Sequence, residues 1–148
     1  MLLQRREARY AGDACADTPL GGAFVIGGAA LYRYVLARGH GDGWTLDGLL
    51  VTRIINPDVE CDVFLDEFRT PAQVAWETAF ARRSIDALPE GPSMCPLDVD
   101  PAAPWHAVSP DAHRAYVGQV AQAECAGHVI QDREHACQFQ LWRRSGVA

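Results

Sequence analysis

The sequence predicts an α/β fold: a mostly parallel twisted sheet with flanking helices, closed by an antiparallel last strand. Three observations carry that expectation. A strand, a glycine turn and a helix follow one another over 23–36, a second apolar strand runs over 49–55, and residues 135–144 alternate apolar and polar side chains. Strand, helix, strand in this order favours a parallel crossover.

The first strand is Ala23 to Gly27, short and rich in strand formers. After Gly28 the stretch Ala29 to Leu36 reads as a helix. Leu31, Tyr34 and Val35 fall at i, i+3 and i+4, so they are expected to share the face packed on that strand, and Gly39 supplies a stop signal. A polar connection through Gly41, Asp42 and Gly43 leads to the β-branched run Leu49 to Ile55, which ends at Asn56 and Pro57. Ala72 to Arg83 fits a helix with Val74, Trp76 and Phe80 partly buried between Pro71 and Pro89. From Leu88 to Pro104 the prolines, Gly91 and aspartates have the composition of a mobile surface loop. The last strand should place Cys137, Phe139 and Leu141 together on a half-buried face.

Composition narrows the function. The chain has 148 residues, is 49% hydrophobic and carries 19 acidic against 13 basic side chains, a net charge of -6. One domain is expected, and a polyanion such as nucleic acid is not the expected partner. Every basic residue is Arg, which rules out a Schiff-base lysine and a phosphate-loop lysine within this sequence. Cys15, Cys61, Cys95, Cys125 and Cys137 are odd in number and lack Cys-x-x-Cys spacing, and His40, His106, His113, His128 and His135 lack metal-site spacing. No metal is expected, and the cysteines read as reduced thiols. No stretch reads as a secretory leader or membrane span. A soluble cytoplasmic protein is the expectation, with a mitochondrial location left open.

Four landmarks occur in order: Phe24 to Tyr32 around Gly27-Gly28, Leu50 to Ile54, Glu60 to Phe64, and Cys137 to Trp142. Together they resemble the second half of dihydrofolate reductases, most closely the fungal members, over roughly residues 20–69 and 104–144. The resemblance implies the C-terminal portion of a dihydrofolate-reductase-like sheet, so that 1–148 is one partial domain with 70–103 as an insertion or loop. It implies NADPH as cofactor, dihydrofolate as substrate and tetrahydrofolate as product, in one-carbon metabolism.

The same resemblance assigns site residues. Gly27 and Gly28 would turn backbone N–H groups toward the cofactor pyrophosphate, with Ala29, Ala30 and Leu31 opening the helix that receives it. Tyr32 would lie beside the nicotinamide. The Ile26 carbonyl would line the pterin pocket, and the Thr52 hydroxyl, a role suited to a buried group, would support the catalytic carboxylate and the pterin amino group. Asp62 matches a position that hydrogen-bonds the active-site loop. No catalytic residue is assigned, because Met1 to Gly22 contains nothing like the family's opening strand, flexible loop or early substrate-binding helix. The chain is therefore expected to be truncated, its activity alone in doubt. One alternative is a non-catalytic nucleotide-binding remnant, or a half that needs a partner piece. Another is the pyrimidine reductase of riboflavin synthesis, which has the same fold but usually carries Glu where this chain has Ile26.

Overall fold

The computed structural model describes residues 2–4, 23–41, 44–56, 60–86, 93–117, 126–132 and 135–146. Among them the strands are β1 (Leu2–Gln4), β2 (Ala23–Phe24), β3 (His40–Gly41), β4 (Trp44–Asn56), β5 (Trp105–Ala107), β6 (Val129–Asp132) and β7 (His135–Arg144). The helices are α1 (Ala29–Arg38), α2 (Pro71–Asp86) and α3 (Pro110–Val117). The strands form one sheet in the order β2-β1-β4-β7-β5, with β3 also on β4 and β6 also on β7.

The fold is thus α/β, but every ladder between described strands is antiparallel, Ala126 opposite Phe139 being a single parallel bridge, so the expected mostly parallel sheet is not seen among the described residues. Part of the crossover survives. β2 and β4 are each antiparallel to β1, so they run in the same direction with β1 between them. The expectation missed this because Leu2 to Gln4 is too short, within a charged stretch, to show an alternation.

β4 begins at Trp44 rather than Leu49, because His40 and Gly41 pair back on Thr45 and Trp44 as a tight hairpin. Gly39 ends α1 in the left-handed region, at φ 63°, and its N–H donates to Val35 O at 2.8 Å. That conformation is where glycine costs least. On the β1 side, Leu2 pairs with Gly48 but Leu3 with Leu46, so Asp47 is an extra residue that bulges out of the ladder.

β4 and β7 pair from Gly48 opposite Arg143 to Ile54 opposite Cys137. Side chains alternate across a strand, so Leu49, Val51 and Arg53 share one face with Trp142, Gln140 and Gln138. Leu50, Thr52 and Ile54 share the other with Leu141, Phe139 and Cys137. The antiparallel last strand is as expected, but its more deeply covered face carries Ala136, Gln138, Gln140 and Trp142. Cys137 and Phe139 are only half-buried. α2 contributes to this with its buried Gln73, Glu77 and Phe80, and Glu77 accepts a hydrogen bond from Gln140.

The core joins Val35, Leu46, Leu49, Cys95, Trp105 and Trp142. The Phe68 ring stands edge-on to Trp105 and Trp142, with centroids 6.3 and 5.4 Å apart. A buried side chain of Leu size contributes roughly 1.5–3 kcal/mol. α1 docks through Val35 and the half-buried Leu36, whereas Leu31 and Tyr34, expected on that face, are exposed. Within the stretch 70–103, expected as an insertion or loop, the described residues include α2 and the buried Phe80, Cys95 and Ala103. Pro89 lies outside the described residues. No described helix is long and apolar enough to cross a membrane.

Candidate functional site

The start of α1 follows directly from its sequence. Gly28 is the N-cap, in extended backbone at φ -72° and ψ 171°, and no side chain caps the helix. Its carbonyl accepts from the N–H groups of Leu31 at 3.0 Å and Tyr32 at 3.2 Å. The N–H groups of Ala29 and Ala30 have no helical acceptor, as at any helix start, and point out along the axis with the positive end of the dipole.

The two glycines differ in what they do. A Cβ on Gly27 would come within 2.9 Å of Leu31 Cδ2, so its bareness makes room for Leu31. A Cβ on Gly28 would meet nothing within 4 Å, and its backbone angles suit any residue. Tyr32 is half-buried, and its hydroxyl accepts from the Gly27 N–H at 3.1 Å, which fixes the ring beside the turn. Gly27, Gly28, Ala29, Ala30, Leu31 and Tyr32 are therefore one local cluster.

Ile26 and Thr52 flank the lane occupied lower down by β1. Phe24 and Gly48 both pair with Leu2, and β2 and β4 run in the same direction, so the segment from Val25 to Gly28 and the part of β4 after Gly48 leave β1 at the same end. Ile26 is 88% exposed. Thr52 is exposed as well, which corrects the expectation of a buried hydroxyl: Leu50 and Ile54, its neighbours on that face of β4, are exposed too. Arg33 turns away from the helix start. Its Nη2 donates to Phe64 O at 2.9 Å and its Nε lies 3.4 Å from Asp66 Oδ1, tying the segment after β4 to α1. Asp62 is exposed.

Sequence reasoning missed the buried polar groups. Glu77, 1% exposed, lies 2.7 Å from Arg53 Nη1 and 2.5 Å from Arg69 Nη1. Arg69 also grips Glu67 with Nε at 2.7 Å and Nη2 at 2.6 Å. That fork lowers the Glu67 pKa and raises that of Arg69, while burial is the main influence lowering the Arg53 pKa. Gln140 Nε2 donates to Glu77 Oε1 at 2.9 Å and to Gln138 Oε1 at 2.8 Å, and Trp142 Nε1 donates to Gln140 Oε1 at 2.9 Å. Gln138 Nε2 then donates to Ser93 O at 2.6 Å and Gly127 O at 2.8 Å. The only sequence signal was glutamine at alternate positions of an otherwise apolar strand, a pattern that normally marks a solvated face.

A second buried group surrounds the bulge. Asp47 is fully buried and its Oδ1 accepts from Arg143 Nη2 at 2.7 Å. The Arg143 guanidinium also sits 5.7 Å from the Tyr116 ring centre. Burial, with the Asp47 carboxylate adding to it and Arg143 opposing, pushes the Tyr116 phenol up to about 12. Burial holds the His113 imidazole below its ordinary 6.5. Asp47 lies near the start of β4, five residues before Thr52.

No protein-family model, curated protein or solved structure matches this chain.

Proposed function

We propose that this chain is the cofactor-phosphate-binding portion of a dihydrofolate-reductase-type enzyme, with NADPH phosphates at the start of α1 and dihydrofolate beside Ile26 and Thr52. One observation carries the reading. Gly28 opens a helix at a position where neither backbone angle nor packing asks for glycine. Ser, Asp or Asn there would cap the helix with a side-chain oxygen and add a few tenths of a kcal/mol, roughly 0.3. A bare, open N-cap suits the close approach of an anion to the N–H groups of Ala29 and Ala30.

Bound NADPH would supply the hydride. The residues of this chain bind and orient: the N–H groups hold phosphate, Tyr32, braced by Gly27, borders the cofactor, and the Ile26 carbonyl and Thr52 hydroxyl face the pterin across the lane. No residue of this chain is assigned the proton donation that reduction needs, so no dihydrofolate turnover is expected from the chain alone.

The test is a fluorescence titration of the purified 148-residue chain with NADPH, repeated on Gly28→Asp. Aspartate at this position should cap α1 and raise stability by roughly 0.3 kcal/mol, yet repel phosphate. Saturable binding by the parent chain, lost in a variant that is equally or more stable, is expected. Absence of binding in the parent, or unchanged affinity in Gly28→Asp, overturns the proposal.

A further inference from the structure

We draw no further inference here: the strongest candidate, the side-chain cluster of Asp47, Arg143 and Tyr116 at the bulge of β4, leaves Asp47 Oδ2 and the Tyr116 hydroxyl without a hydrogen-bond partner among the described residues, but both atoms are sealed from solvent and nothing in the structure shows what would bind them.

Discussion

Replacing Glu77 by leucine removes the one carboxylate shared by Arg53 and Arg69. Arg69 keeps its fork on Glu67, and Arg53 keeps the bond from Nη2 to Glu77 O at 3.0 Å, which belongs to the backbone. What is lost is the carboxylate that compensates Arg53, whose side chain is only 18% exposed, one of the two that compensate Arg69, and the acceptor of Gln140. Breaking a buried pair from one side costs about 3–5 kcal/mol, because the remaining charge is stranded. At roughly 2–4 °C per kcal/mol for a chain of this size, Tm should fall by about 10 °C. Equilibrium urea unfolding measures the change directly. Adding Arg53→Met to Glu77→Leu should recover about 1–3 kcal/mol, since the second change removes the stranded cation. A loss below about 1 kcal/mol for Glu77→Leu, with no recovery in the double variant, would refute the argument and mean that desolvation of the carboxylate already cancels its attractions.

Three further outcomes are expected. His113 is held neutral by burial below its ordinary 6.5, so the unfolded chain takes up the proton first as pH falls; stability from this group is present above about pH 6.5 and lost below it. The drop in urea midpoint between pH 7 and pH 5 should be smaller in His113→Leu than in the parent. Gly39→Ala should cost about 1–2 kcal/mol by thermal melting, because φ is 63° there and a Cβ would collide with the Arg144 guanidinium. The Cys95 thiol is pushed up to about 11, first by burial and then by the Glu77 charge, so a maleimide at pH 8 should label exposed Cys61 well before Cys95. Equal rates for the two would count against the packing described around Cys95.

Local signals carried much of the fold. The glycine turn, α1, the apolar centre of β4 and the last strand were legible because each shows its own period or stop signal, and α2 was legible apart from its ends. β1, β3, β5, β6 and α3 are short, and a two- to four-residue strand is held by its neighbours rather than by its own pattern. Strand direction failed for the same reason: it depended on Leu2 to Gln4 entering between two strands. The face of β7 was misjudged because hydropathy marks glutamine as solvent-facing, while the Glu77 carboxylate that satisfies it comes from a helix far away in sequence. At the candidate site, the cluster around Gly27 and Gly28 was legible since it is contiguous. The exposure of Thr52 was not, because it depends on what covers that face of the sheet.

β7 pairs with β4, β5 and β6, so three strands wait on the one that follows them all in the sequence. On the ribosome, β4 emerges early, able to pair with β1 and β3 but not with its longest partner until β7 has been made. Whatever protects nascent chains must shield β4 over that interval. Premature termination anywhere before His135 would leave a product that can form none of the three ladders.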